Sequence, residues 1–190
     1  MAFSLVFIGD THGFIDDFSK QKEIIEEINP EFVLAERLEN LSLDSKEKFE
    51  NILMKKRISN MTSFEDVKKL IQLCFEKNIN LIGIDFKNFG FDDNLQKVII
   101  NQGKCNKEEE EKLNKIIEKR QKRHLKIIKE YQNKTKKPAV VIVGCWHLRD
   151  DSLLMKSLEN YKVIFPCDKN GNLLFEPSGD KNISYCEKVK

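Results

Sequence analysis

Four apolar runs of strand length, at residues 3–8, 32–35, 81–84 and 139–143, constrain this chain more than any other feature. Each is apolar at nearly every position rather than at every second one, so each calls for burial on both faces. Between the runs lie longer stretches whose apolar residues recur at three- and four-residue spacing. Phe18, Ile24, Ile25 and Ile28 form the first such stripe and Val67, Leu70, Ile71, Cys74 and Phe75 the second. Leu113, Ile116, Ile117, Ile127, Ile128 and Tyr131 form the third, on a charged segment running from 107 to about 134. That spacing is helical. Buried strands alternating with helices require an α/β fold, a mainly parallel sheet with helices on both faces.

Weaker signals fill in the remainder. A helix is expected over 44–58, and another from Ser63, where Asp66 three residues on makes a capping-box pattern. A short helix at 151–159 leads to a fifth strand at 162–165. Asn170-Gly171 predicts the turn of a C-terminal antiparallel hairpin that pairs the end of that strand with 173–175. The segment 87–106 carries no clear pattern beyond a short helix near 94–101, and reads as an insertion or mobile loop. With 190 residues, 40% of them hydrophobic, the chain suits one well-covered domain, 1–190, better than two.

Charge and cysteine content narrow the functional classes. The 33 basic and 31 acidic residues nearly cancel, which argues against a nucleic-acid partner held by a broad positive field. The first apolar run is far too short to span a bilayer and lacks the flanks of a secretion signal, so no membrane association is expected. Cys74, Cys105, Cys145, Cys167 and Cys186 are odd in number and form no Cys-x-x-Cys pair, which predicts reduced thiols in a cytoplasmic protein.

In an open α/β sheet, ligands bind beyond the carboxyl ends of the strands, where connecting loops converge. Here those ends carry ionisable groups. The first run leads into Asp10 and His12, the second into Glu36 and Arg37, the third into Asp85, and the fourth into Gly144-Cys-Trp-His147. Partly desolvated groups gathered in one place repel or shift one another unless a cation or proton relay compensates them. The long helix adds two more. Stepping 100° per residue from Leu113, Arg120 and His124 each fall about 20° from the apolar stripe, whereas Arg123 falls about 80° away. A guanidinium on an apolar stripe needs an anion, so Arg120 is expected to meet a site carboxylate or a substrate oxyanion.

Two chemistries suit this set. In one, His12, Glu36 and His147 hold a divalent cation such as Mn, Zn or Co with an open position for water. In the other, a histidine oriented by a carboxylate activates water without a metal. Asp10, Asp85 and His124 are the further candidates for holding a cofactor. The ordinary alternatives are a turn-capping histidine at 12, a Glu36–Arg37 ion pair, a satisfied core histidine at 124, and a snorkelling Arg120.

Gly9-x-x-His12, Asn29-Pro-Glu-Phe-Val-Leu-Ala-Glu36, and Val143-Gly144-x-x-His147-Leu148 resemble the signature of the TraB/TIKI superfamily, which includes ChaN-like and erythromycin-esterase-like proteins. Arg120-Gln-x-x-His124-Leu is similar to that family's Arg-Asn-x-x-Met-Ala helix motif, with Gln for Asn and His for Met. The resemblance spans roughly residues 5–165 and implies hydrolysis of a small-molecule or peptide substrate. Within the family, some members are regarded as metal-dependent proteases, some open a lactone with histidine-activated water, and ChaN-like members bind haem. The positions matched are His12, Glu36, Arg120 and His147; the segment 87–106 matches nothing in the signature.

Gly9-Asp10-x-His12-Gly13 also resembles the first motif of calcineurin-like metallophosphoesterases, but Ala35-Glu36 and Ile84-Asp85 stand where the later motifs of that family are needed. Two readings outside catalysis remain. The same residues would serve a protein that binds metal, haem or a small anion, with Phe86, Phe89 and Phe91 lining a haem cleft. The long charged helix would alternatively serve a partner or a second copy.

Overall fold

The computed structural model describes residues 3–11, 17–55, 57–175 and 183–190. Its strands are Leu5–Asp10 (β1), Phe32–Ala35 (β2), Ser42–Leu43 (β3), Asn80–Gly83 (β4), Ala139–Gly144 (β5), Tyr161–Cys167 (β6) and Ser184–Val189 (β7). Among the described residues these form one sheet in the order β3-β4-β2-β5-β1-β6-β7. The five inner strands are parallel. Both edge strands, β3 and β7, run antiparallel to their neighbours.

The helices are Asp17–Ile28 (α1), Lys46–Leu53 (α2), Glu65–Glu76 (α3), Asp93–Ile100 (α4), Lys107–Gln132 (α5) and Leu153–Ser157 (α6). Successive strand side chains point to opposite faces, and that alternation sorts the core into two layers. Val6, Ile8, Val33, Val140 and Ile142 pack with Ile25 of α1 and Ile71 of α3. Leu5, Phe7, Leu34, Val141 and Val143 pack with Ile128 of α5 and Leu154 of α6. Every residue of β1 and β5 is buried, as their unbroken apolar runs require. The α/β architecture with a C-terminal antiparallel pair is therefore the one expected.

Three local expectations need correction. The helix read as starting at Ser63 begins at Glu65, without a side-chain cap. Ser63 bridges Arg57 in antiparallel fashion and so stands in the segment before the helix. The turn at Asn170-Gly171 does form, with Gly171 at φ 82 and the Asp168 carboxylate accepting the amides of Asn170 and Asn172. Beyond it, however, Leu173 makes only a single bridge to Cys167, and the strand paired with β6 is β7. Finally, the cysteines are not all reduced. Cys167 and Cys186 form a disulfide with Cα atoms 5.8 Å apart, while Cys74, Cys105 and Cys145 are in no disulfide. The β6–β7 register sets Cys167 beside Ser184 and Phe165 beside Cys186, so the bridge runs diagonally between two paired strands. The cytoplasmic setting drawn from five thiols loses that support. No helix among the described residues is long and apolar enough to cross a membrane.

The connections decide where a ligand is able to enter. The chain leaves β2 toward the face carrying α1 to α3, and leaves β5, its neighbour, toward the face carrying α5 and α6. Diverging exits from adjacent parallel strands open a crevice at their carboxyl ends.

Candidate functional site

Three strand ends deliver acidic and imidazole groups to that crevice. Glu36 opens the 3₁₀ turn Glu36–Leu38 directly after β2, Asp85 lies just past β4, and His147 sits in the 3₁₀ turn Cys145–Leu148 directly after β5. Because β2 lies between β4 and β5, the three become neighbours. Arg120 and His124, one turn apart on α5, close over them.

The guanidinium ties the set together. Arg120 Nη2 lies 2.6 Å from Glu36 Oε1 and 2.6 Å from Asp85 Oδ2, and its Nε donates to Asp85 Oδ2 at 2.8 Å. The remaining carboxylate oxygens are held by backbone amides. Gly144 N–H donates to Glu36 Oε2 and Phe86 N–H to Asp85 Oδ1, each at 2.7 Å. His147 Nε2 approaches Glu36 Oε1 to 3.3 Å, and His124 Nε2 approaches Asp85 Oδ2 to 3.0 Å. The two imidazoles meet edge to face with centroids 5.0 Å apart.

Almost none of this reaches solvent, since side-chain exposure is 5% for Glu36, 0% for Asp85 and His124, and 13% for Arg120. Burial alone would push both carboxyls up. For Glu36 the nearby His147, His124 and Arg120 outweigh it and hold the group well below the usual carboxylate range. Asp85 is likewise lowered, burial being outweighed by His124 and Arg120. Burial disfavours the charged form of Arg120 in turn, yet Glu36 and Asp85 overcome this and raise it above its ordinary value.

Two imidazoles are left incompletely satisfied. The 3.0 Å approach of His124 to Asp85 is not aligned as a hydrogen bond, and neither nitrogen of His124 nor Nδ1 of His147 has a hydrogen-bond partner among the described residues. A buried nitrogen without a partner costs about 1–3 kcal/mol, so such groups concentrate where water, ligand or chemistry completes them.

Above the cluster opens a cleft of about 520 Å³. Glu36, Arg120 and His147 lie at its floor, and Phe89, Phe91, Ile117 and Trp146 are among its walls. Phe89 and Phe91 also stack on Arg120, whose guanidinium carbon lies 4.9 and 5.8 Å from the ring centroids. The segment read as an insertion thus supplies an aromatic wall, and its helix, α4, lies close to where the sequence predicts it.

Of the residues singled out from the sequence, Glu36, Asp85, Arg120, His124 and His147 converge in this one cluster. Asp10 is buried at the end of β1, in register with Gly144 of β5. His12 lies outside the described residues. Sequence reasoning missed Glu39, which is 1% exposed and accepts hydrogen bonds from Ser59 Oγ, from Thr62 Oγ1 at 2.8 Å and from Asn88 N–H at 2.6 Å. It also missed Arg123, which donates to the Asp85 carbonyl at 2.9 Å and stacks over Phe86 at 4.8 Å. Nothing in the sequence marks Glu39. For Arg123 the only signal was its neighbourhood to Arg120, because a long side chain reaches across the angular gap that a helical projection assigns it.

Among the described residues the group placed to hold a cation is Glu36, Asp85 and His124, whose ligand atoms lie within 4.8 Å of one another. It shares only Glu36 with the metal set expected from the sequence. Two carboxylates and an imidazole suit a divalent metal. Arg120, however, already stands between the two carboxylates and supplies the positive charge they need. A cation fits there only with the guanidinium displaced.

Comparison of the chain with protein-family models, with curated proteins and with solved structures finds no match.

Proposed function

We propose that this chain is a hydrolase of the TraB/TIKI kind, acting on a small-molecule or peptide substrate, with His147 as the base that activates water. One observation carries the reading: a buried imidazole facing Glu36 through Nε2, its Nδ1 without a hydrogen-bond partner among the described residues, at the floor of a cleft large enough for a substrate. With Nε2 turned to the carboxylate, Nδ1 is the basic nitrogen; it is buried, so the water whose proton it takes must enter beneath the floor of the cleft, and Glu36 stabilises the imidazolium that forms. The hydroxide attacks the substrate carbonyl carbon. Arg120 uses Nε and Nη2 on the two carboxylates, which leaves Nη1 to steady the developing oxyanion. Collapse of the adduct returns the proton from His147 to the leaving group. His12, matched by the resemblance, joins this site in the proposal.

The test is steady-state hydrolysis of a panel of p-nitrophenyl esters and peptide anilides. His147→Ala and Glu36→Gln should each lower kcat on the order of 10²-fold or more while the circular dichroism spectrum is kept. Full activity in both variants would overturn the assignment.

A second reading is favoured by the Glu36, Asp85 and His124 group: a non-catalytic protein that holds a divalent metal after Arg120 swings aside. Elemental analysis of protein purified without chelator distinguishes it, since stoichiometric Mn, Zn or Co with no turnover on the panel would favour metal binding.

A further inference from the structure

The cleft is much larger than the polar cluster beneath it, and its roughly 520 Å³ is the size that encloses a drug-sized ligand. Its polar groups gather at the floor, while Met61, Phe89, Phe91, Ile99, Ile117 and Trp146 line it above. These walls are held apart by the scaffold. The buried Glu39 carboxylate binds Thr62 and the amide of Asn88. Asn88, Phe89 and Gly90 follow one another at φ 51, 54 and 76, a left-handed run that non-glycine residues keep only under constraint. Asn60 N–H donates to Asn88 Oδ1 at 3.0 Å, and Gln96 Nε2 to the Phe91 carbonyl at 2.7 Å. The aromatic wall is thereby fixed before any ligand arrives.

Charge selects the occupant. A cationic ligand would seek the ring faces, but Arg120 lies over Phe89 and Phe91, and Arg149 lies over Trp146 at 4.5 Å. An anionic ligand would seek Arg120, but two carboxylates already offset its charge, so what it offers the cleft is a hydrogen-bond donor rather than a net positive charge. Arg37 also lines the cleft and has an interaction of its own.

We infer that the cleft binds an uncharged molecule with an apolar acyl or aryl body, its single carbonyl group set over Glu36, Arg120 and His147. The fate of that carbonyl rests on the hydrolase reading; the binding of the body does not.

Trp146 is the only tryptophan in the chain, so emission excited selectively in the indole band, beyond that of the three tyrosines, reports on this cleft. The full chain is titrated with linear primary amides of increasing length, and with the carboxylates and amines of matching length. The amides should produce a saturating change in emission, with affinity rising about fourfold per added methylene until the cleft is filled. The charged series should bind roughly tenfold or more weakly, because a charge loses its hydration on entering apolar walls over a cluster whose own charges are already paired. Ile117→Asp, on a partly exposed face of α5, should abolish the amide response. Affinity independent of chain length, tighter binding of either charged series, or an undiminished response in Ile117→Asp would overturn the inference. The two readings fail separately. Amides that bind beside esters of the same chain that are not hydrolysed would sink the hydrolase alone, whereas rapid hydrolysis of acetate esters with no gain on lengthening would sink the apolar-body inference alone.

Discussion

Replacing Arg120 with methionine tests whether the polar cluster is one electrostatic unit. The side chain is 13% exposed and joins carboxylates that are 5% and 0% exposed, so its loss strands two buried charges rather than one surface pair. Removing one partner of a buried ion pair costs about 3–5 kcal/mol. Methionine retains most of the stem volume, which keeps any cavity contribution small, and His147 and His124 still flank the carboxylates. The lower end, about 3 kcal/mol, is therefore expected at pH 7. For a chain of this size that corresponds to a fall in Tm of about 6–12 °C, read by circular dichroism. The pH dependence has a definite sign. Glu36 and Asp85 are held below their ordinary values in the folded state, so their stabilisation is complete above an unfolded pKa of about 4 and is lost as pH falls through the folded values. Without Arg120 those values rise. The gap between wild type and Arg120→Met should accordingly narrow in acid, and adding Asp85→Asn to the variant should recover part of the loss at pH 7. A fall in Tm under about 2 °C, or a gap that widens in acid, would refute the reasoning.

Two further perturbations probe the supports. Glu39→Gln keeps the shape but removes the charge that holds Ser59, Thr62 and Asn88, and should cost about 1–3 kcal/mol. Amide exchange at residues 59–62 and 86–91 should quicken in that variant, and unchanged protection would mean that Glu39 does not hold these two segments. Reducing the Cys167–Cys186 bridge, whose cysteines are 19 residues apart, should remove about 3 kcal/mol and lower the urea midpoint. The shift should be absent in Cys186→Ser; a reductant that leaves the wild-type midpoint unmoved would count against the bridge.

What the sequence disclosed followed from periodicity. Strands buried on both faces gave away the parallel sheet, and the groups where those strands end gave Glu36, Asp85 and His147, since the backbone itself carries them to one edge. Arg120 and His124 were legible because helical geometry puts them near the apolar stripe. Glu39 was not, because its role depends on donors at positions 59, 62 and 88 that only the folded chain collects. The two residues of β3 are too few for any pattern. Pairing Cys167 with Cys186 needs the β6–β7 register, which five scattered cysteines do not encode. The start of α3 at Glu65 was not legible either, because the bridge between Ser63 and Arg57 is a pairing that the local pattern does not encode.

The central claim is that Glu36 and His147 act together on substrate. A double-mutant cycle in kcat/KM, comparing wild type, Glu36→Gln, His147→Ala and the double variant on the best ester of the panel, tests it most directly. Residues that form one catalytic unit lose their effect together, so the double variant should be no slower than the worse single variant within about threefold. Losses that multiply would mean two independent roles, and the account of a carboxylate acting through its imidazole would be wrong.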